Sequence, residues 1–421
     1  MSSESGILSH PFSQFVYYSV LCTIPFYYWR QITPVVPLDW YITLVLVAIL
    51  GIYLMSGKHM PPLFSNNLNK WFLLFFFVNV MSSLISPYPA DAWDGLVVLI
   101  QVYVFVFINL SFITEKGLFG KLPLILAMAT GLNGAIAGLD YFLGINPFYE
   151  SEYTRAAYGL TTGANNLSLM SVFVIPPMVQ KILNARSPMA FFFYLGLVLC
   201  NVMGLISSES RGGFLIFFVM GILLLISNRH RFHPRLFGLA VSGVGVMMLV
   251  GVAAIPDTYV SRQKTLLSDR PDVSFQRRAA YIRVALRSFS DNPILGTGTN
   301  SFPQVWLASP ETMFFELQER GAHNTYLDIL VGVGILGLLT FFGLLFRIFR
   351  DFLTAINNYD LLGNELKRDM TSAYLVSFLT VCAYCLLKTL VDHKFFILIM
   401  SISQVVFFLS QQEMEDAYGR D

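Results

Sequence analysis

Long apolar runs dominate this sequence and limit the folds that are open to it. A helix that crosses a bilayer needs about 20 mostly apolar residues. Runs of this kind recur at residues 12–29, 38–56, 71–87, 93–113, 119–144, 162–183, 189–207, 212–228, 236–255, 325–346, 371–391 and 394–411. The sequence therefore predicts an all-α integral membrane protein with about 12 transmembrane helices.

The composition agrees with this interpretation and excludes two other classes of protein. Of the 421 residues, 55% are hydrophobic and 13% are charged, whereas a soluble domain carries roughly 25% charged residues. A water-soluble multidomain enzyme is excluded because too few polar residues are present to cover its surface. A net charge of +1 also excludes a protein that binds nucleic acid through bulk positive charge.

The basic residues predict the orientation of the helices. With a cytoplasmic N-terminus, the cytoplasmic loops hold thirteen Lys and Arg residues and the short opposite loops hold four. This asymmetry follows the positive-inside rule and places both termini in the cytoplasm. Residues 1–255 then hold nine helices, residues 256–324 form one large extracytoplasmic loop, and residues 325–421 hold three helices and a short cytoplasmic tail.

The large loop is the region most expected to carry function, because long connections are usually functional. Within it, apolar residues recur at helical spacing: Phe275, Ala279, Ile282, Leu286 and Phe289. Four arginines lie off this stripe: Arg277, Arg278, Arg283 and Arg287. The pattern predicts an amphipathic helix that rests on the membrane surface or caps a cavity, and that ends at Asp291-Asn292-Pro293.

Arginine is concentrated on the extracytoplasmic side, which holds ten of the eighteen arginines. The guanidinium group binds phosphate in a bidentate way and stays charged. We therefore expect part of this set, including Arg155, Arg211, Arg277 and Arg278, to bind an anionic lipid diphosphate. The alternative is that these arginines pair with acidic residues on the same side or with lipid headgroups.

Arg211 stands out because it opens an apolar run directly after Ser-Ser-Glu-Ser. A charge so near the hydrocarbon region is costly and indicates a functional site. Gly212 and Gly213 would let a backbone or a ligand approach closely. The alternative for Arg211 is that its side chain extends to the membrane interface.

Two further candidates lie at helix boundaries on the same side. His323 precedes the tenth run, and an unperturbed histidine, with a pKa of about 6.5, can accept a proton at neutral pH. Its alternative role is to cap the following helix. Asp392 lies in the turn between the last two runs, where it could orient a base, pair with an arginine or be a plain turn residue.

Motifs for metal or nucleotide chemistry are missing from the sequence. It contains no P-loop, no H-E-x-x-H and no D-x-D of the type that holds a metal and a nucleotide-sugar. Gly296-Thr297-Gly298 lacks the third spaced glycine of a dinucleotide site and is interpreted as a loop. The sequence thus predicts no metal and no cofactor.

Three motifs in this order resemble the O-antigen ligase and O-antigen polymerase superfamily of bacterial inner membranes. The motifs are Ser210-Arg211-Gly212, the run from Arg277 to Tyr281 that leads into residues 292–298, and His323-Asn324-x-Tyr326-Leu327. The pattern spans residues 205–330. The layout of twelve helices with one large periplasmic loop extends the resemblance to the whole chain.

The resemblance implies a membrane glycosyltransferase of the GT-C type that inverts the anomeric carbon in a single displacement. The donor would be a glycan linked to undecaprenyl diphosphate, and the acceptor would be the lipid A–core oligosaccharide. By this resemblance Arg211 and an arginine of the loop helix hold the diphosphate, and His323 is the base, with Asn324 as a supporting residue. Arg277 and Arg278 both match the loop arginine, and the spacing to Tyr281 favours Arg277.

Other activities remain open at the level of the sequence. O-antigen polymerase would use the same donor with a lipid-linked glycan as acceptor. A flippase or exporter of lipid-linked glycans would carry out no catalysis, but a transporter would more often show internal repeats and ionisable residues at mid-membrane. Membrane lipids are expected partners, nucleic acid is not, and the expected state is a monomer or weak oligomer.

Overall fold

The computed structural model describes residues 7–26, 38–55, 67–114, 118–145, 159–161, 163–231, 273–315 and 318–419. Within these ranges the chain forms helices and turns and no strand. The predicted helix at 236–255 and the candidate Arg155 lie outside the described residues.

Thirteen α-helices make up the described part of the chain. In chain order they are α1 (Pro11–Thr23), α2 (Leu38–Met55), α3 (Asn67–Leu84), α4 (Pro89–Ile113), α5 (Leu118–Leu143), α6 (Ala164–Leu183), α7 (Pro188–Ser207), α8 (Arg211–Ser227), α9 (Val273–Asp291), α10 (Phe302–Leu307), α11 (Thr325–Leu361), α12 (Glu365–Tyr384) and α13 (Lys394–Tyr418). Short 3₁₀ turns cover Arg229–Arg231 and Pro310–Phe314.

The apolar runs other than 236–255 each overlap a helix, which confirms the all-α prediction for the described residues. The predicted helix at 371–391 is helical only to Tyr384, and residues 385–391 belong instead to the connection before α13. Six of these helices are long and apolar enough to cross a membrane, and three shorter apolar helices accompany them. The exact number of crossings and the GT-C architecture stay predictions. Helix α11 runs on to Leu361, past the predicted end at residue 346, and Arg347 and Asp351 pair one turn apart at 2.6 Å in this extension.

The helices form one bundle around a shared apolar core. Helix α11 packs against α3, α12 and α13, while α12 packs against α6 and α8. Helix α7 lies at the edge, where Phe192 and Leu199 are more than half exposed. In a membrane protein such large exposed apolar surfaces are covered by lipid, because their exposure to water would be unfavourable. The chain is a multi-pass membrane protein.

Glycines bring α5 and α7 into close contact. A Cβ atom added to Gly134 would lie 2.3 Å from the carbonyl oxygen of Cys200, and one added to Gly204 would lie 2.8 Å from the Cα of Gly134. Small residues at such crossings let helix backbones approach in membranes, where packing rather than water drives association. This crossing positions α7, and therefore the connection that leads from α7 into α8.

Replacing Gly134 with valine should destabilise the bundle. The new side chain would meet the backbone of α7, which cannot move away as a flexible side chain would, so we expect a loss of about 1–3 kcal/mol. The melting temperature of the detergent-solubilised protein measures this loss. Gly196→Val on α7 is the matched control, because a Cβ there meets nothing within 4 Å. Equal melting temperatures for the two variants would contradict the role of Gly134.

Hydrogen bonds at a break in α11 hold the segment after α9 against the bundle. Gly334 adopts φ +66° and ψ −161° inside α11, and this break frees backbone groups from helical hydrogen bonding. The residues after α9 use them: Thr297 N donates to Val331 O at 2.9 Å and Gly298 N donates to Gly332 O at 2.8 Å. The Gly-x-Gly stretch is therefore a loop, as predicted, with a structural role in holding α9 against α11.

Candidate active site

The predicted site residues lie on segments that meet at one end of the bundle. These segments are the start of α8, the helix α9, the turn before α11, and residues 385–393 between α12 and α13. We call this end of the bundle the site end.

A capped turn presents Arg211 at the start of α8. Ser210 caps the helix: its Oγ accepts a hydrogen bond from Gly213 N at 3.0 Å and donates one to Asn165 Oδ1 at 2.8 Å. Glu209, just before the cap, has the left-handed φ of +45°, which a side chain other than glycine seldom adopts and which is common at functional sites. The turn thus holds Arg211 in the first turn of α8, next to α6.

The two glycines after Arg211 permit close approach, but not of the backbone or ligand that was predicted. A Cβ on Gly212 would lie 2.3 Å from Leu387 Cδ1, and one on Gly213 would lie 2.5 Å from Ser168 Cβ. The groups that approach are side chains of the protein. The glycines therefore pack α8 against α6 and against the connection between α12 and α13.

Tyr384, the last residue of α12, connects this helix to α6, and the sequence analysis did not identify it. Its hydroxyl lies 2.5 Å from Ser168 Oγ and donates to Asn165 O at 3.0 Å. The ring is fully buried and interacts electrostatically with Arg278. Because Tyr384 lies inside an apolar run, its sequence context resembles that of the lipid-facing aromatics.

Helix α9 lies where the amphipathic helix was predicted and ends at Asp291, and the face that packs against the rest of the protein is not the apolar stripe. That this stripe rests on the membrane surface stays a prediction. Ile282 and Leu286 of the proposed stripe are 45% and 51% exposed. Four residues on another face are buried instead: Ala280, Tyr281, Val284 and Ala285. The tertiary contacts select small residues and one aromatic for the interface with α10 and α11, whereas the hydrophobic pattern gave more weight to the larger aliphatic residues.

Tyr281 anchors α9 to the site. Its ring lies 4.7 Å from that of Trp306 and 6.0 Å from that of His323, centroid to centroid. Tyr281 and Trp306 are both buried. Tyr281, the aromatic residue that follows Arg277 and Arg278, therefore brings these arginines of α9 close to His323.

The four arginines of α9 divide into two groups. Arg283 and Arg287 are exposed, and Arg287 forms an ion pair with Glu311 at 3.0 Å, which lowers the pKa of that carboxyl group. Arg277 and Arg278 are half-buried and face the site. Burial lowers the pKa of Arg278, and Arg277 and Arg211 lower it further as neighbouring positive charges.

His323 is held in an unusual backbone conformation. Its φ is +49°, in the left-handed region that favours glycine and asparagine. The cap of α11 belongs to Asn324, whose Oδ1 accepts from Tyr326 N at 3.0 Å and Leu327 N at 3.1 Å. Ala322 N donates to Asp328 Oδ1 at 3.3 Å. The alternative in which His323 caps the helix is therefore wrong.

The charges around His323 favour its neutral form. His323 is exposed to solvent, yet the protein atoms around it partly desolvate the ring and lower its pKa to about 4, and four cations contribute as well. These cations are Arg278, Arg277, Lys388 and Arg320. A neutral imidazole with a free nitrogen can accept a proton.

A cavity of about 600 Å³ opens beside this cluster at the site end. Asp392 and Lys388 line it, as does Gly321, which lies two residues before His323. Apolar side chains from α3, α4 and α11 form part of its wall. Asp392 therefore lies on the cavity side of the site and interacts with Lys388.

The structure brings most of the candidates together. Electrostatic interactions link Arg211 with Arg278, and link both Arg277 and Arg278 with His323. Asn324 caps α11 directly after His323, and Asp392 lines the adjacent cavity. Such an arrangement can bind a dianionic headgroup next to a proton acceptor.

Residues 196–342 match the family model for O-antigen ligase. This stretch of the chain is therefore similar to the O-antigen ligase family. This family comprises O-antigen ligases and polymerases, which are membrane glycosyltransferases that act on lipid-linked glycans. The match includes Arg211, Arg277, Arg278 and His323, whereas Lys388 and Asp392 lie outside it. No curated protein matches the chain.

Proposed function

We propose that this protein transfers O-antigen glycan from undecaprenyl diphosphate to the lipid A–core oligosaccharide at the periplasmic face of the bacterial inner membrane. The observation that carries the proposal is the position of His323 among Arg277, Arg278 and, through Arg278, Arg211. The arginines supply a diphosphate site, and the histidine supplies a base beside it.

The donor would lie with its isoprenoid chain between helices and its diphosphate against Arg211 and Arg277 or Arg278. The arginines would act both in binding the donor and in the reaction itself. Guanidinium groups fit phosphate oxygens in a bidentate way. They also stabilise the negative charge that grows on the diphosphate as it leaves, and such electrostatic stabilisation is often the largest catalytic contribution.

His323 would take the proton of an acceptor hydroxyl group. The freed oxygen attacks the anomeric carbon from the face opposite the diphosphate and forms the new glycosidic bond. The bond from that carbon to the diphosphate breaks, and its electron pair leaves with undecaprenyl diphosphate. A single displacement of this kind inverts the anomeric configuration, and it needs no metal because the arginines neutralise the leaving group.

A deletion strain tests the activity through its lipopolysaccharide. We expect the gel to show lipid A–core without O-antigen, while polymerised glycan accumulates on undecaprenyl diphosphate. Plasmid-borne protein should restore the full ladder, and a plasmid carrying Gly196→Val should restore it equally well, because this position contacts nothing within 4 Å.

The same gel separates the alternative functions. Core that carries a single repeat unit would mean that the protein is an O-antigen polymerase. Unpolymerised donor trapped in the inner leaflet would mean that it is a flippase. Either pattern would overturn the proposed ligase activity.

A further inference from the structure

Lys388 lies at the junction of the cation cluster and the cavity, and none of the sequence motifs includes it. It belongs to the connection between α12 and α13 and is half-buried. It contributes to the positive potential at His323 and also lines the cavity of about 600 Å³. Arg277 and Arg278, by contrast, reach the site from α9.

Hydrogen bonds hold the backbone of Lys388 against the start of α11. Thr325 Oγ1 donates to Lys388 O at 2.8 Å, and Leu390 N donates to Thr325 Oγ1 at 3.0 Å. Thr325 N donates to Cys385 O at 2.7 Å, and Thr389 bonds to the carboxylate of Asp328. Because Thr325 is two residues after His323, the position of Lys388 relative to the histidine is set by the backbone.

The side chain of Lys388 is directed toward α6. Its ammonium group donates to the amide oxygen of Asn166, in the first turn of α6, and Asn166 lines the same cavity. Asp392 is the carboxylate that interacts with it electrostatically. An ammonium group carries three donors, so the bond to Asn166 leaves donors for a ligand in the cavity.

A half-buried ammonium group of this kind is costly to keep charged. Burial lowers its pKa to about 8, and Asp392 opposes that change. A bound anion in the cavity would offset this cost, because an opposite charge nearby favours the charged form of a lysine.

We propose that Lys388 is a third diphosphate-binding residue, which contacts the donor's phosphate groups from the cavity side. This inference rests on the proposed function. The cations then have two kinds of role. The guanidinium groups of α8 and α9 bind the diphosphate in a bidentate way, and the ammonium group of Lys388, oriented by Asn166, binds it as a compact point charge.

Binding of undecaprenyl diphosphate to the purified full-length protein in detergent tests the proposal. Lys388→Met removes the charge and keeps the length of the side chain, and Lys388→Arg keeps the charge. We expect about 10- to 100-fold weaker binding for Lys388→Met, as for the loss of a hydrogen bond to a charged group. Lys388→Arg should retain most of the affinity.

Lys181→Met is the matched control. Lys181 lies at the other end of α6, is half-buried, and donates to a neutral oxygen, that of Gly120, at 3.0 Å. It should bind undecaprenyl diphosphate as the unmodified protein does. Undecaprenyl monophosphate and inorganic diphosphate serve as further probes, which separate recognition of the lipid diphosphate from recognition of any phosphate.

The outcomes distinguish this inference from the proposed function. If the unmodified protein binds undecaprenyl diphosphate and Arg277→Gln or Arg278→Gln weakens that binding, but Lys388→Met does not, the role of Lys388 is overturned. If both Lys388 variants lose affinity equally, charge is not what matters and the proposal also fails. If the unmodified protein binds neither diphosphate probe, the proposed function itself fails.

A measurement on the unmodified protein removes any dependence on folding of the variants. Brief treatment with an amine-acylating reagent, followed by peptide mass spectrometry, reports the accessibility of each lysine. Undecaprenyl diphosphate should slow acylation of Lys388 at least severalfold and leave Lys181 unchanged. Equal acylation of Lys388 with and without the lipid would contradict the proposal.

Discussion

Replacing His323 with asparagine is expected to lower the rate of glycan transfer by about 10²- to 10⁴-fold, the usual contribution of a positioned general base. Asparagine accepts the left-handed conformation that His323 adopts at φ +49°. The turn before α11 should therefore survive while the proton acceptor is lost. The assay is transfer of glycan from a purified donor to lipid A–core, followed on a gel.

Two further variants separate chemistry from positioning. His323→Gly also fits the backbone and should be as inactive as His323→Asn. Asn324→Ala removes the cap of α11 and should lower the free energy of unfolding by about 0.5–2 kcal/mol, with a smaller effect on transfer. Full activity in His323→Asn would show that another group accepts the proton.

The same assignment sets the pH dependence of the reaction. Protonated His323 cannot act as a base, so activity should fall as the pH drops through its pKa. In the donor-free protein that pKa is about 4, and kcat/KM, which reports the free enzyme, should lose activity near pH 4. A bound diphosphate offsets the cations and raises the pKa of His323, so kcat should fall at a higher pH than kcat/KM. Coincident acid limbs would argue against the diphosphate lying beside His323.

Replacing Arg211 with glutamine should lower transfer by about 10²- to 10³-fold, the loss seen when one donor to a developing negative charge is removed. The stability of the folded protein should not decrease together with the activity. A cation in the first turn of a helix opposes the helix dipole, and Arg211 is also close to Arg278. We therefore expect the melting temperature to stay constant or to rise, in the opposite direction to the activity.

Arg211→Lys tests whether the shape of the group matters as well as its charge. Lysine keeps the charge but lacks the bidentate fork, so transfer should remain well below that of the unmodified protein. Arg229→Gln is the control, because Arg229 is exposed at the other end of α8, and it should transfer glycan normally. A parallel loss of melting temperature and activity in Arg211→Gln would instead mean that Arg211 is structural.

Helix positions were predictable because the signal that specifies them is local. A run of about 20 apolar residues must be helical in lipid, since every backbone polar group has to be satisfied within the segment. The boundaries at Pro188, Arg211 and Lys394 follow in the same way from prolines, caps and charges next to the runs. Arg211, Arg277, Arg278 and His323, to which the motifs pointed, all lie within the stretch that matches the family model.

Contacts between distant segments were not predictable by the same means. The face of α9 that packs against α10 and α11 could not be identified from the sequence, because Ile282 and Leu286 are the more hydrophobic residues, while this packing uses Ala280, Tyr281 and Ala285. Tyr384 and Lys388 follow one another closely in an apolar stretch, and no local pattern marks them as polar contacts of α6.

The sequence by itself determined the class of protein, the helices and the residue types that suit an anionic lipid donor, because hydrophobicity and motif spacing are local properties of the sequence. The tertiary structure decided which cations meet His323 and that Asn324 takes the role of helix cap. It also decided that Lys388 joins them beside a cavity. The physical reason is that electrostatic potential depends on distance in space, and residues 211, 278, 323 and 388 become neighbours only through tertiary contacts.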